Sequence, residues 1–449
     1  MELTRRGLMG HLAAPLLMQR RGGTPPPNIV LVLADGLPAW ILGCYGNEEI
    51  RTPNIDRLAA AGTRMALCFT PAPVGPPGRA SLFSGRPPAG HGVTDSPADG
   101  GAGEGQAPPS FAKESLLSDV LAAAGYRCGF VGLWGMGVVE KPGHGFEFSA
   151  VLRRPVHENP DLIIDGSAVS AKGYLAEILT KYASDFLARQ QKDRPFFLAV
   201  SHLSPAGPLE GHPGRHLGLY ADARFSTFGI MPAAANAAQG REFLDNPLPA
   251  LRRYAAAVSA LDEQVGALHR KILGLGLFDN TLFIFTSSHG ALLGRHGLWG
   301  DGRASRPVNL YEEVIHVPMI WSWPGRVPTH NVRPELVSLY DLLPAVGEAA
   351  GAGASKEPQA CSRSFLPVVM NRPLPKKNPW PDIVFAQLED AVMARDKYYK
   401  LIVRGDGRGE LYDIRKDPRE RNNVYGDPGF STVRAGLEKK LEAWRAVCG

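Results

Sequence analysis

The strongest constraint on the fold is the apolar run at residues 28–33, Asn-Ile-Val-Leu-Val-Leu. An unbroken β-prone run of this kind is typical of a strand buried on both faces of a parallel sheet. The run ends at Ala34-Asp35-Gly36, so we expect Asp35 at the carboxyl end of the strand. Ligands and catalytic groups gather at that end in open α/β sheets.

Helix and strand patterns alternate along the following residues. Thr52 and Pro53 suit the start of a helix that Gly62 can end. Further helix and strand pairs are predicted at residues 116–124 and 128–132, at 174–190 and 196–201, and at 251–273 and 281–287. The alternation predicts an α/β fold with a doubly wound sheet flanked by helices.

The chain changes character after residue 350. Residues 372–381 are polar and rich in Pro and Lys, which is typical of a linker. Strand candidates follow at 398–403 and 410–412, with a glycine-containing turn between them, and an amphipathic helix is predicted at about 432–447. We expect an α/β domain at residues 27–371 and a small antiparallel α+β subdomain at 372–449.

The first 26 residues resemble an export signal followed by a linker. Thr4-Arg5-Arg6-Gly7-Leu8-Met9 places two adjacent arginines before a mildly apolar run, which is the layout of a twin-arginine signal. A disordered basic segment is the alternative. The first interpretation predicts export to the periplasm or the cell exterior.

Composition narrows the function further. The net charge is +5, of which the first 26 residues carry +3, so the body is too weakly charged to predict a nucleic-acid or membrane role. No later segment reaches 18 unbroken apolar residues, so no spanning helix is predicted. In an oxidising compartment one cysteine pair can form a disulfide, and the sequence leaves the pair open among Cys44, Cys68, Cys128, Cys361 and Cys448.

Short motifs in a fixed order resemble those of the sulfatase family, and of arylsulfatases in particular. They cover nearly all of the chain and imply an alkaline-phosphatase-like fold with a mixed sheet. The segments include Pro27-Asn28-Ile29-Val30, Gly43-Cys44-Tyr45-Gly46, Arg51-Thr52-Pro53-Asn54-Ile55-Asp56-Arg57-Leu58, Arg79-Ala80-Ser81-Leu82-Phe83-Ser84-Gly85-Arg86, His296-Gly297-Leu298-Trp299 and Glu410-Leu411-Tyr412-Asp413.

The resemblance implies a particular chemistry. A formylglycine made from Cys or Ser attacks sulfur, calcium held by aspartates neutralises the sulfate, and lysine and histidine side chains assist. A sulfate ester needs such a set, because hydrolysis requires a strong nucleophile, a cation and an acid for the leaving group.

The nucleophile position of the resemblance departs from this pattern. The family motif has Cys or Ser, then Pro two residues later and Arg four residues later. Here the segment is Gly75-Pro76-Pro77-Gly78-Arg79, so Gly75 stands at the nucleophile position. Glycine has no side chain to oxidise or to attack with.

The metal positions depart as well. The first aspartate pair is Asp35-Gly36, and the second pair is Ser288-His289. Calcium prefers six to eight oxygen ligands with carboxylates among them, so Asp35 and His289 form a poor residual set. No cofactor is expected. Calcium binding is expected only if other ligands complete the site. For Asp35 the alternative is capping a loop, and for His289 it is a hydrogen-bonded histidine in the cleft.

The auxiliary cation and histidine positions are also changed. The family's lysine and histidine in the motif that corresponds to residues 132–137 are replaced by Leu133 and Gly135, and the second histidine is replaced by Ala206. Arg79 is a candidate for binding an anion or for orienting the turn. Arg303 is a candidate replacement for a missing lysine, and His202 for a missing acid or base.

These observations leave three functions open. The first is a degenerate sulfatase without ordinary sulfatase activity that binds a sulfated or other anionic glycan. The second is an active sulfate- or phosphate-ester hydrolase in which His202, His289 and Asp35 activate water. The third is a structural protein that binds a partner protein, whose identity the sequence does not give.

Overall fold

The computed structural model describes residues 25–93, 108, 111–137, 143–191, 193–352, 361–374, 376–377 and 379–448. The predicted export signal lies almost wholly outside these residues. In the part of the chain that is described, no helix is long and apolar enough to cross a membrane.

A large mixed sheet forms the centre of the molecule. Its spatial order is β11-β2-β10-β8-β1-β7-β3-β4-β5-β6, with β9 paired to β2. The central strands β8, β1, β7, β3 and β4 run parallel, while β10, β9 and the β5–β6 hairpin pair antiparallel. The strands are β1 Asn28–Asp35, β2 Thr63–Phe69, β3 Arg127–Gly132, β4 Phe146–Leu152, β5 Asp161–Ile164, β6 Ser167–Ser170, β7 Phe196–Pro205, β8 Thr281–Ser287, β9 His316–Val317, β10 Met319–Ser322 and β11 Asn331–Ser338.

Helices cover both faces of this sheet. As a result, every residue of the central strand β1 after Asn28 is buried. Val30 and Val32 face one apolar core with α1, α5 and α8, and Ile29 and Leu31 face another with α2, α4, α10 and α11. The helices are α1 Pro53–Ala60, α2 Gly75–Ser84, α3 Pro88–His91, α4 Leu117–Ala123, α5 Leu175–Ala188, α6 Gly214–Gly218, α7 Arg241–Asp245, α8 Pro247–Gly274, α9 Glu312–Ile315, α10 Leu342–Ala349, α11 Leu366–Val369 and α12 Ser431–Cys448.

The predicted α/β class and mixed sheet are confirmed. The strand predicted at residues 281–287 is β8 without change, and the predicted helices correspond to α1, α4, α5 and α8. Two bounds differ. Strand β7 continues four residues beyond the prediction to Pro205, and α8 begins at Pro247 because proline fits the first turn of a helix.

A second, antiparallel sheet confirms the small C-terminal β-containing unit. Its strands follow one another in space as in sequence, β12 Ile383–Leu388, β13 Ala391–Asp396, β14 Tyr399–Val403 and β15 Gly409–Asp413. One face packs on α12, and the other contacts the main domain. The boundary at residues 371 and 372 stays a prediction.

A disulfide joins Cys361 to Cys448, the last residue of α12. Cys44, Cys68 and Cys128 are free. Burial raises the pKa of the Cys128 thiol to about 12 and that of Cys68 well above its usual value. These two thiols are therefore inert core groups, and the bridge ties the end of the chain to the segment that precedes α11.

Candidate active site

The cleft lies where the central strands end. Asp35 is the last residue of β1, and Ser288 follows directly after β8. Because β1 and β8 are parallel with Ala34 opposite Ser287, Ser288 lies beside Asp35. The Ser288 N–H donates to the Ala34 carbonyl at 3.0 Å, which fixes this position.

Helix α2 brings Gly75 and Arg79 to the same place. Val74 is extended, and Pro76 and Pro77 suit the first turn, which starts the helix at Gly75. All ten residues of α2 are buried. Gly78 allows the close approach, because a Cβ there would lie 2.4 Å from the Ser288 carbonyl oxygen.

Arg79 is held at the centre of the cleft. Its side chain is 1% exposed, and Nη1 lies 2.5 Å from Asp35 Oδ1. Nε donates to the Trp134 carbonyl oxygen at 3.1 Å. Nη2 is buried and has no hydrogen-bond partner among the described residues. Arg79 thus orients the turn and also keeps one unused donor.

The Cα of Gly75 lies next to the Arg79–Asp35 ion pair. A Cβ at Gly75 would lie 2.9 Å from Arg79 Nη1 and 3.1 Å from Asp35 Oδ1. A Cβ contact below 3.0 Å is essentially never seen, so any side chain here requires the guanidinium to move. The position that the sequence assigned to a nucleophile therefore has neither a reactive group nor space for one in this arrangement.

Ser288 and His289 complete the contacts of Asp35. The Ser288 hydroxyl donates to Asp35 Oδ1 at 2.5 Å and lies 2.9 Å from His289 Nδ1. His289 Nδ1 is 3.6 Å from the same carboxylate oxygen. One carboxylate oxygen thus faces a guanidinium, a hydroxyl and an imidazole.

These residues do not fit a calcium ion. Asp35 is the single carboxylate at the metal positions that the resemblance implies, and its Oδ1 is already paired with Arg79. Among the described residues, no group of three or more His, Cys, Asp or Glu side chains is arranged to hold a metal. Calcium needs several oxygen ligands and negative charge, which this set does not supply.

The other positions that the resemblance singles out, Leu133, Gly135 and Ala206, carry no charge. Leu133 is buried in the apolar core beside β3, and Gly135 adopts a left-handed conformation with φ of 60°. The Ala206 N–H donates to the Asp35 carbonyl at 2.9 Å, and its carbonyl accepts from His157 Nε2 at 3.2 Å. The backbone of Ala206 therefore stabilises the carboxyl end of β1.

His202 and Arg303 were predicted as binding residues, and the structure places both outside the contacts of Asp35. His202 lies in β7, is 1% exposed, and neither ring nitrogen has a hydrogen-bond partner among the described residues. Burial lowers its pKa to about 4. Arg303 Nη2 pairs with Asp301 Oδ2 at 2.8 Å. Burial favours a raised pKa for Asp301, but the positive charges of Arg303 and His289 hold it below its usual value.

Sequence reasoning missed two contributors. The Trp134 carbonyl that fixes Arg79 lies inside the motif at residues 132–137, but a side-chain pattern does not report a backbone acceptor. His157, which contacts the Ala206 carbonyl, lies outside the motifs and carries no spacing signal.

The mixed sheet, the flanking helices and the strand-end cleft define an alkaline-phosphatase-like α/β protein. Residues 27–352 match the family described as Sulfatase, and residues 294–447 match the family described as N-sulphoglucosamine sulphohydrolase, C-terminal. The chain belongs to the sulfatase family.

Named relatives agree with this assignment. An N-acetylglucosamine-6-O-sulfatase of Bacteroides thetaiotaomicron is 26% identical, over 93% of this chain and 86% of that protein. Human arylsulfatase A is 29% identical, over 77% of this chain and 68% of that protein. A solved structure of a protein in complex with its substrate D-glucosamine-2-N,6-O-disulfate superimposes with a TM-score of 0.77 at 24% identity, covering 94% and 98% of the two chains. At that identity the superposition supports the fold alone.

Proposed function

We propose that this chain is a sulfatase-family protein that does not hydrolyse sulfate esters by the family route. The observation that carries the proposal is the Arg79–Asp35 ion pair packed against the bare Cα of Gly75. In a hydrolase with a catalytic triad, loss of the nucleophile costs about 10⁶-fold in turnover. Here the carboxylate available for a cation is also already paired, which removes a second requirement of the chemistry.

Activity and metal content test this part together. Purified full-length protein is assayed with 4-nitrophenyl sulfate, with and without added calcium, and its metal content is measured by elemental analysis. We expect no turnover above buffer and no stoichiometric calcium. Turnover together with one bound calcium per chain would overturn the proposal.

We further propose that the cleft binds a sulfated glycan. The support is Arg79 Nη2, a buried donor without a partner among the described residues. It lies 3.1 Å from where a Cβ at Gly75, the nucleophile position that the resemblance implies, would be. A buried donor left unpaired is costly, and a sulfate oxygen would satisfy it with a charge-assisted hydrogen bond. A sulfated sugar is the substrate named for the structural neighbour described above.

Binding is measured on full-length protein with a heparin-derived tetrasaccharide and its desulfated form. Arg79→Met should weaken binding at the cleft by at least about tenfold, because it removes a charge-assisted contact. Arg395→Met is the matched control, since Arg395 is also a buried arginine paired to a carboxylate, Glu312, but in the C-terminal sheet. Equal binding by Arg79→Met and wild type would refute cleft binding.

One observation favours a second function, hydrolysis by water activation. Asp35, Ser288 and His289 form a connected carboxylate, hydroxyl and imidazole set at the strand ends. Such a set can accept a proton from water. Turnover of 4-nitrophenyl phosphate or sulfate that disappears in both Asp35→Ala and His289→Ala would support it, and turnover unchanged by these substitutions would exclude it.

We also propose that the protein is exported. The Cys361–Cys448 disulfide supports this, because such bridges persist in oxidising compartments. Cell fractionation tests it. Wild type should leave the cytoplasm, whereas replacement of Arg5 and Arg6 by lysine should retain the protein inside. Equal distribution of both proteins would contradict a twin-arginine signal.

A further inference from the structure

A second concave site lies at the opposite end of the sheet from Asp35. It is a groove of about 530 Å³ between α1, α8 and residues 329–330. Phe278, on its wall, lies three residues before Thr281, the first residue of β8. Thr281 pairs with Asn28 at the start of β1. Since β1 has eight residues, the groove and Asp35 are separated by roughly 23 Å of strand. We call this site the basic groove.

The wall of the basic groove is cationic. Its basic members are Arg57, His269, Arg270 and His330, and none of the described residues that line it carries a carboxylate. Arg57 donates only to neutral oxygens, the Pro53 carbonyl at 3.0 Å and Asn54 Oδ1 at 2.8 Å. Neither Arg57 nor Arg270 forms an ion pair with a described residue. No carboxylate of a described lining residue therefore pairs with the two guanidinium groups of the groove.

His269 lies between the cationic and the apolar parts of the groove. Burial lowers the pKa of His269, and the positive charges of Arg57 and Arg270 lower it further, so both guanidinium groups act on one ring. That ring packs edge-on against Phe278 with the centroids 5.2 Å apart. The groove thus joins two cations to an aromatic and aliphatic floor that includes Leu58 and Val265.

The contact between α1 and α8 fixes the walls of the basic groove. Helices α1 and α8 approach closely because Gly266 has no side chain, and a Cβ there would lie 2.3 Å from Asn54 Oδ1. Asn54 Nδ2 in turn donates to Asp262 Oδ2 at 2.7 Å, which locks the two helices together. The groove is a preformed feature of this contact.

We propose that the basic groove binds a sulfated saccharide, with Arg57 and Arg270 contacting sulfate groups and Phe278 packing against a sugar ring. The choice of ligand class rests on the proposed function of the cleft. Guanidinium groups suit oxyanions because they present several donors in one plane. The volume suits a small oligosaccharide, and the apolar floor suits the C–H face of a sugar. The two arginines are too few to form a phosphate track for nucleic acid.

Isothermal titration of full-length protein with a heparin-derived tetrasaccharide tests this proposal. Wild type should show two sites, and the double variant Arg57→Ala/Arg270→Ala should lose one of them or weaken it at least tenfold. Arg445→Ala, which removes an exposed arginine from α12, should keep both sites. All variants are first compared with wild type by thermal unfolding.

The outcomes separate the groove from the cleft. Loss of one site in the groove variant, with the other lost in Arg79→Met, supports both proposals. If Arg79→Met binds like wild type and the groove variant does not, the groove proposal is supported and the proposal of cleft binding is refuted. Wild-type binding by the groove variant, equal binding of desulfated saccharide, or stronger binding of single-stranded DNA or anionic vesicles would overturn the groove proposal.

Discussion

At the scale of the residue, Gly75 and Arg79 form one structural unit. Arg79 is fixed by Asp35 and the Trp134 carbonyl, so a Cβ 2.9 Å from its Nη1 forces a buried ion pair to shift. We expect Gly75→Ala to lower the free energy of unfolding by about 1–3 kcal/mol in urea titrations. Gly436→Ala, in α12 where a Cβ meets nothing within 4 Å, should instead raise it by about 0.5–1 kcal/mol. A Gly75→Ala protein as stable as wild type would contradict the packing described.

A second residue-scale prediction concerns His202. Burial lowers its pKa from 6.5 to about 4, so the folded state binds fewer protons than the unfolded state between these values. The free energy of unfolding therefore falls as the pH drops through this window, by roughly 2–3 kcal/mol for this group between pH 7 and pH 4.5. His202→Leu should lose that part of the pH dependence. An unchanged slope in His202→Leu would refute the prediction.

The sequence located the cleft residues but not their pairing. Asp35, Gly75, Arg79 and Ser288 each lie in a linear motif whose register is fixed by its neighbours, so their place in the cleft could be predicted. The contact between Arg79 and Asp35 spans 44 positions and depends on how closely α2 approaches β1. That distance is set by the missing side chains of Gly75 and Gly78, which a motif records only as departures from a pattern.

At the scale of the element, strand β14 is attached to the main domain by a buried lysine. Lys400 is fully buried, donates to the Leu310 carbonyl at 2.7 Å and pairs with Glu420 and Glu312. Lys400→Met should lower the free energy of unfolding by about 3–5 kcal/mol, because it leaves a buried carboxylate unpaired. The double variant Lys400→Met/Glu420→Gln should recover part of this loss, and the exposed control Lys439→Met should stay near wild type. Calorimetry that shows no loss for Lys400→Met would contradict this role.

Elements with a strong hydrophobic pattern of their own could be predicted from the sequence. Elements that form because they pair with a neighbouring strand could not. Strand β8 has a continuous apolar run and matched its predicted bounds. The β5–β6 hairpin is half exposed and short, so its pairing with β4, rather than its own composition, defines it. The last residues of β7 extend for the same reason, since Asp35 pairs with Pro205 across an irregular register.

At the scale of the whole molecule, the disulfide is the feature that sequence left open. Five cysteines give several possible pairs, and spacing does not choose among them. The fold chooses, because α12 packs on the C-terminal sheet and ends beside the segment that precedes α11. Cys361 and Cys448 are 87 residues apart, so the bridge connects the segment before α11 to the last residue of α12.

This connection predicts how stability responds to reduction. Cys448→Ser should lower the free energy of unfolding by about 2–4 kcal/mol under oxidising conditions, because the bridge restricts a long loop in the unfolded chain. Adding dithiothreitol should bring wild type down to the level of the variant and leave the variant unchanged, as measured by urea unfolding. Cys44→Ser removes a free thiol and should keep the full response to reductant. Wild type that is equally stable with and without reductant, while intact mass shows the bridge reduced, would mean that the helix is held by packing of Leu441 and Trp444 on the sheet alone.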